Sequence, residues 1–349
     1  MPELPEVETV ARDLRALVLG ARLTGASVAW ERTVRGVPPG ELGARIAGRR
    51  IEAVGRRAKL VVVELEGGVA LTIHLKMTGQ LFVVPAGAPP DPYVRARLDL
   101  ADGREIRFRD IRKFGRIGCH ERDPATGELL ASPGGAPLFA DHGPEPLDPA
   151  FTLRAFRDRL RGRRGRLKPL LLDQSFVAGV GNIYADEALW RSGLHPLRSV
   201  GTLRPDDERR LRTELVGILA EAVERRGSSI DDYTAPDGDG SMQERLDVYG
   251  RTGLPCRRCD RPIRRIVIGA RAAHFCSWCQ RLPAADRAGA ARLLAGLRSP
   301  RAARAGRRWT DLARDGVLGA TADEIARGER LRRAAAARRA VARAAVGAA

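Results

Sequence analysis

Four cysteines toward the carboxyl-terminal side of the chain restrict its fold more than any other feature. Cys256, Cys259, Cys276 and Cys279 form two CxxC pairs separated by 16 residues. Tetrahedral zinc needs four soft ligands brought together, and two CxxC knuckles at the base of a hairpin do this. The intervening PIRRIVIGARAAHF reads as two short strands around Gly269. A closed four-sulfur shell leaves no open position on the metal, so the expectation is one Zn2+ with a structural role. Such binding contributes on the order of 10–16 kcal/mol to the folding of small zinc modules, enough for about 30 residues to stand as a fold. His274 is a competing ligand on paper, but four cysteines already fill the shell. The fifth cysteine, Cys119, is expected to be a buried strand residue.

The chain has 349 residues, 44% of them hydrophobic, which is enough for two or three domains with proper cores. It lacks a run of 18 apolar residues, and its first ten residues carry acids rather than a basic region. Neither a transmembrane helix nor a signal peptide is expected, and the predicted location is cytoplasmic. Cysteines in such a compartment argue for metal or a reactive thiol rather than for disulfides.

The formal net charge is +18. For a soluble chain this points first to nucleic acid, because neutralising phosphates releases condensed counterions. Residues 281–349 hold 16 Arg against six acidic residues, and residues 1–280 remain basic without them. A genome biased toward Arg and Ala codons is an alternative source of the charge in the tail.

Val7, Val10, Leu14 and Leu17 recur at helical spacing, and Gly20 stands as a stop, which predicts an amphipathic helix from about Pro5 to Leu19. LVVVEL and VALTIHL flank EGG, and VRARLDL and REIRFRD flank ADG. These read as two hairpins of a sandwich or barrel. Residues 124–149 are rich in Pro and Gly without a sustained period, a linker signature. Beyond Phe151 the period becomes helical. Asn182 stands at a helix start, Gly193 at a helix end, and Leu211, Leu215, Ile218 and Ala222 share one face. The predicted organisation is α+β and multidomain: an N-terminal helix plus β-sandwich (1–123), a linker (124–149), a helical domain (150–248), a zinc-finger hairpin (249–283) and a basic Ala/Arg-rich tail (284–349). The tail lacks large apolar residues and is expected to be solvated, partly helical or disordered, with Thr321 and Glu324 as a capping box.

The chain opens MPELPEVETV. If Met1 is removed, Pro2 becomes a terminal secondary amine whose pKa lies near 8, so roughly a tenth is neutral at pH 7, against well under a thousandth of an ordinary lysine. Such an amine attacks C1′ of a sugar and gives an iminium that stays cationic without a proton. Glu3 beside it is a candidate general acid or base. The plainer alternative is that Pro5 starts a helix and the glutamates complement its dipole.

MPELPEVETV is followed in order by RRAKL, HLKMTGQL, DIRKFGR, GPEPL, LLLDQSFVAGVGNIYADEAL, LDVYGR and the tetracysteine finger. This series closely resembles the formamidopyrimidine-DNA glycosylase family of the Fpg/Nei superfamily, bacterial enzymes also called MutM. The resemblance covers about residues 1–283.

It implies a helix–two-turn–helix element in the helical domain. It also implies a bifunctional glycosylase and AP lyase that acts on double-stranded DNA containing oxidised purines or abasic sites, as a monomer. Pro2 is then the nucleophile that forms a Schiff base, Glu3 the acid that protonates the sugar ring oxygen, and Lys59 the proton donor in elimination. Base excision would be followed by β and δ elimination. The damaged base must leave the stack to be attacked. Met77, Arg112 and Phe114 match the family's inserting residues: an apolar wedge, a guanidinium for the orphaned cytosine and an aromatic that stacks. His74, Lys168, Asn182 and Arg271 would contact phosphates. Arg264 and Arg265 are expected to flank the Arg271 hairpin tip and add guanidiniums there.

Two places depart from the family pattern. DIRKFG stands where DPRRFG is usual, and TAPDGDGSMQE, at 234–244 where a loop covers the extruded base, is about one residue short. Leu4 in PELPE favours the purine-lesion branch over an oxidised-pyrimidine, Nei-like branch. A third alternative is a zinc-ribbon DNA-binding protein without catalysis.

Overall fold

The computed structural model describes residues 1–229, 240–295 and 297. They form two compact units, and the division does not follow chain order. The first gathers Met1–Phe151, Asp173–Gly181 and the described part of Leu219–Arg245; the second gathers Thr152–Leu172, Asn182–Ile218 and the described residues from Leu246 onward.

The first unit begins with helix α1 (Leu4–Val18). Its apolar stripe is Leu4, Val7, Val10, Ala11, Leu14 and Val18, all buried. Leu17, predicted on that stripe, is 42% exposed, because the step that keeps the stripe facing inward after Leu14 is four residues, to Val18.

Nine strands follow: β1 (Leu23–Val28), β2 (Val34–Arg35), β3 (Ile51–Arg57), β4 (Leu60–Leu65), β5 (Val69–His74), β6 (Gly79–Pro85), β7 (Val94–Leu100), β8 (Arg104–Asp110) and β9 (Arg116–Glu121), with a short α2 (Leu42–Ile46) between β2 and β3. They make a four-stranded sheet, β1-β7-β8-β6, and a five-stranded sheet, β2-β9-β5-β4-β3. All pairs are antiparallel except β2 with β9. Both predicted hairpins form, as β4–β5 and β7–β8.

Alternation sets the faces. Ala96, Leu98, Leu100, Ile106 and Phe108 enter one core with Val61, Val63, Leu71 and Ile73 of the other sheet, while the intervening arginines of β7 and β8 lie off it. Helix α1 packs on β3 and β4 of one sheet and β6 of the other. The outer face of the five-stranded sheet is covered too: Val62 and Ala70 are buried with Leu129, and Leu138 and Phe139 pack beside them. The Pro/Gly-rich segment therefore lies on the sheet.

The second unit contains α3 (Leu153–Leu160), α4 (Leu167–Leu172), α5 (Asn182–Arg191), most of α6 (Pro205–Glu224), the hairpin β10 (Arg264–Ile268) and β11 (Arg271–Phe275), and α7 (Ala284–Leu294). Thr152 caps α3 by accepting a hydrogen bond from the Ala155 N–H at 3.1 Å. Gly193 ends α5 in a Schellman motif, with Leu194 N–H to Leu189 O and Gly193 N–H to Trp190 O. Leu211, Leu215, Ile218 and Ala222 of α6 are fully buried, as their spacing predicts.

Helix α7 packs on the hairpin. Its Ala290 is buried with Ile266, Ile268, Ala273 and Phe275, so ordered packing runs past residue 283. The remainder of the basic tail, including Thr321 and Glu324, lies outside the described residues, as does most of the 234–244 loop. Among the described residues, no helix is long and apolar enough to cross a membrane.

Candidate active site

Pro2 and Glu3 are buried at the start of α1. Glu3 is the N-cap, and its N–H donates to Glu6 Oε2 at 2.8 Å. Glu6 is itself buried, and its other oxygen accepts from the Ser228 N–H (2.8 Å) and hydroxyl (3.1 Å). One oxygen of Glu3 accepts from the Gly181 N–H at 2.8 Å, and the Leu4 N–H donates to Gly179 O at 3.0 Å. The amino terminus is thus clamped by the AGVG segment.

Two glycines make that clamp possible. A Cβ on Gly181 would collide with the Glu3 carboxyl group. Gly179 has φ +82°, and a Cβ there would lie 2.8 Å from that of Leu4. Gln174 braces the segment, donating to Val180 O (2.9 Å) and accepting from the Gly179 N–H (3.0 Å).

Lys59 is buried in the two-residue turn between β3 and β4, where Arg57 pairs with Leu60 and Ala58 adopts φ +53°. Glu145 holds this turn. Its Oε1 accepts from the Ala58 N–H (2.6 Å) and the Arg57 guanidinium (2.7 Å), and Arg56 pairs with Oε2 at 2.7 Å. Next to Glu145, Pro144 O accepts from the Ala178 N–H (3.0 Å), and the Gly143 N–H donates to Gln174 O (2.8 Å). GPEPL therefore joins the Lys59 turn to the segment that seats Glu3.

His74, at the end of β5, pairs in register with Leu60. Burial, with the positive charges of Lys76 and Lys59, lowers its pKa to about 3. Its Nδ1 accepts the Lys76 N–H at 3.1 Å, which puts the proton of the neutral ring on Nε2 as a donor.

Met77, Arg112 and Phe114 lie on two loops, 75–78 and 111–115, that share one anchor. Asp110 is fully buried; its Oδ1 accepts from the Thr78 hydroxyl and the Arg112 N–H (3.3 Å), and its Oδ2 from the Gly115 N–H (2.7 Å). Thr78 also accepts the Arg112 N–H at 3.1 Å. Met77 is half-buried, while Phe114 is 46% exposed with the Arg112 guanidinium 5.0 Å over its ring. The exposed Phe114 ring therefore stands on a loop whose base is pinned by a buried carboxylate.

The second unit carries Lys168, Asn182, Arg271 and the cysteines. Lys168 is fully buried in α4, and its ammonium donates to Asp186 at 2.6 Å and to the Ala272 carbonyl. Asp186, also buried, accepts from the His274 N–H (2.9 Å) and lies 3.0 Å from His274 Nδ1. These bonds fix β11 to α4 and α5. Asn182 is the first residue of α5, and its Oδ1 is buried without a hydrogen-bond partner.

Arg271 is exposed beside the β10–β11 turn. Arg264 and Arg265 do not flank it. Arg264 is buried and pairs with Phe275 at the opposite end of the hairpin, about 13 Å away at the rise of a strand, since the register puts the first residue of β10 opposite the last of β11.

The cysteine sulfurs all lie within 4.8 Å of one another, Cys256 to Cys279 at 3.9 Å and Cys259 to Cys276 at 3.5 Å. Tetrahedral Zn–S bonds of about 2.3 Å separate sulfurs by about 3.8 Å, so the cage fits one Zn2+. The LDVYGR segment leading into the module is held by Glu187, whose carboxylate accepts the N–H groups of Asp247 (2.8 Å), Val248 (2.9 Å) and Tyr249 (2.8 Å). Complete burial pushes its pKa up to about 7.

Sequence reasoning missed Asp110, Asp186 and Glu187, and gave Glu145 no role. The local signal for Asp186, Glu187 and Glu145 is a carboxylate inside an otherwise apolar or Gly/Pro-rich stretch, whereas Asp110 lies among arginines and carries no such mark.

Three family models match consecutive parts of the chain: the formamidopyrimidine-DNA glycosylase N-terminal domain over residues 1–117, its H2TH domain over 142–234, and the zinc finger found in FPG and IleRS over 253–282. Formamidopyrimidine-DNA glycosylases of Chloroflexus aggregans and a Roseiflexus species are 47% and 44% identical, each over 80% of this chain and over 98% and 100% of their own lengths. The crystal structure of MutM (Fpg) from Thermus thermophilus matches with a TM-score of 0.70 at 44% identity, over 81% of this chain and all of that one. Lactococcus lactis Fpg in complex with abasic-site DNA matches with a TM-score of 0.72 at 34% identity, over 80% of this chain and 99% of that one. A buried amino-terminal Pro-Glu pair, an exposed aromatic on one of two loops anchored by a shared buried carboxylate and a four-sulfur cage thus coincide with matches spanning the full length of these relatives, and the chain belongs to the formamidopyrimidine-DNA glycosylase family.

Proposed function

We propose that this chain excises oxidised purines, 8-oxoguanine and formamidopyrimidines, from double-stranded DNA and then cleaves the strand. It acts as a monomer in the cytoplasm. Removal of Met1 frees the Pro2 nitrogen, which attacks C1′ of the extruded nucleotide. The glycosidic bond breaks, the base departs, and Glu3 protonates the ring oxygen so that the sugar opens to an iminium on Pro2. Loss of a C2′ proton expels the 3′ phosphate; a second elimination expels the 5′ phosphate, and water releases the sugar fragment. Lys59 serves proton transfer in these eliminations. Met77, Arg112 and Phe114 fill the space the base leaves, and the neutral His74, Asn182 and Arg271 donate to phosphates.

Lys168 enters this reading differently from the other phosphate candidates. With its ammonium held by Asp186 and Ala272, it positions the strand that carries Arg271. Cys256, Cys259, Cys276 and Cys279 would hold Zn2+ and so tie the hairpin together, and four sulfur ligands would leave the metal no open position for bond breaking.

The observation that carries the reading is the seating of Glu3 beside Pro2, with its carboxylate oriented by the Gly181 N–H in a segment also joined to the Lys59 turn. Borohydride trapping on an 8-oxoguanine duplex, read by intact mass, tests it. The expected product lacks Met1 and carries DNA on the first peptide. No adduct, together with a Pro2→Gly variant that binds and cleaves like wild type, would overturn the enzymatic role of Pro2.

A further inference from the structure

Asp110 clamps the base of the 111–115 loop, yet Lys113 at its centre is held elsewhere. Lys113 adopts φ +59°, a left-handed conformation that costs a non-glycine residue energy. This turns its side chain so that the ammonium lies 4.3 Å from the centroid of the Trp30 ring. Trp30 is itself fixed to the frame of the wedge. Its backbone N–H donates to Arg95 O (3.2 Å), and the Arg95 guanidinium donates to Asp110 O (2.7 Å). From the other side, Arg116 hooks the loop by donating to the carbonyls of Phe114 (2.8 Å) and Gly115 (2.7 Å).

We propose that Trp30 is a specificity-determining positioning residue: its ring captures Lys113 and thereby holds Arg112 and Phe114 at the angle from which they read the orphaned base. The inference rests on the reading of Arg112 and Phe114 as inserting residues. Arg112 and Phe114 flank Lys113 directly, so freedom of Lys113 to leave the left-handed region rotates both neighbours. A guanidinium that samples several orientations satisfies an orphaned cytosine less well and penalises a wrong base less. General DNA affinity, carried by phosphate contacts elsewhere, does not depend on this angle.

The test compares kcat/KM for 8-oxoguanine opposite cytosine and opposite adenine in Trp30→Ala, Trp30→Phe, Lys113→Gln, the Trp30→Ala/Lys113→Gln pair and Phe114→Ala. Trp30→Ala and Lys113→Gln should each lower the cytosine-to-adenine ratio by about two- to fivefold, the factor a cation–π contact supplies. Trp30→Phe should keep the ratio, and the double variant should lose no more than either single one. Lys113 is exposed, so Lys113→Gln tests the same contact if Trp30→Ala does not fold. An unchanged ratio in Lys113→Gln, or an equal fall against both bases, overturns the proposal when Phe114→Ala does impair excision. If Phe114→Ala also acts like wild type, the insertion reading fails and the proposal fails with it.

Discussion

At the residue scale, His74 separates two ways in which a histidine serves a DNA-binding protein. An ordinary imidazole near pKa 6.5 gains charge as pH falls and strengthens phosphate contacts. His74 stays neutral to about pH 3 because burial and two lysines oppose the imidazolium. In the proposed role its contribution is a directed N–H, and the burial of the neutral ring has a consequence for stability. The unfolded chain binds a proton near pH 6.5 that the folded chain refuses, so stability falls as pH drops below that value. At pH 5 the cost is about 2 kcal/mol for a group shifted this far. His195, lowered to about 3 by burial and Arg166, adds the same sign, whereas Glu187, raised to about 7, loses stability in the other direction, as pH rises from 4.5. Thermal unfolding between pH 5 and 6.5 should therefore show a slope shallower by about one proton in His74→Gln than in wild type. Identical slopes would mean that His74 is charged in the folded protein.

At the scale of elements, the turns and loops that carry the proposed site residues are held by buried carboxylates. Glu145 supports the Lys59 turn from 87 residues away, and Asp110 ties together the loops after β5 and β8. Replacing Glu145 by Gln leaves its shape but strips the charge that two guanidiniums face. The destabilisation should be about 3 kcal/mol, the order seen when one partner of a largely buried pair is removed. Strand cleavage should slow by about tenfold to a hundredfold through displacement of Lys59, while affinity for abasic duplex changes little. Equilibrium denaturation and single-turnover nicking measure the two effects separately. A loss of stability with nicking unaffected would make Glu145 purely structural. The same logic explains the cover over the five-stranded sheet: a stretch without periodicity buries Leu129 and packs the partly buried Leu138 and Phe139 beside it, and such isolated contacts leave no repeating mark in the sequence.

At the scale of the molecule, the basic tail is the part the family relationship does not explain, since the matched segments end at residue 282. Helix α7 shows where a truncation must begin. Cutting at 285 would strip Ala290 from the hairpin core, whereas removing residues 298–349 deletes 13 Arg and five acidic residues and spares that packing. The truncated protein should bind undamaged duplex more weakly and with a shallower dependence on salt, by about 0.9 in the log–log slope for each phosphate the tail neutralises. An unchanged slope would place the tail away from DNA.

The sequence by itself determined the features that depend on near neighbours: the zinc cage from CxxC spacing, the hairpins from alternation, α1 from its period, and the chemical potential of a proline one residue from the chain start. It also set the family motifs in order, and with them the positions proposed for catalysis, Glu3 and Lys59, and for insertion, Met77, Arg112 and Phe114. Only the tertiary structure decided what those residues touch. Glu3 finds its partner 178 residues away in Gly181, and Glu6 finds Ser228 across 222. Lys168 lies inside the fold, and Arg264 stands at the wrong end of its hairpin for the use its sequence position suggested. The reason is electrostatic. A carboxylate or ammonium leaves water only where the fold supplies hydrogen bonds to replace it, and those donors and acceptors come from segments whose approach no local pattern records.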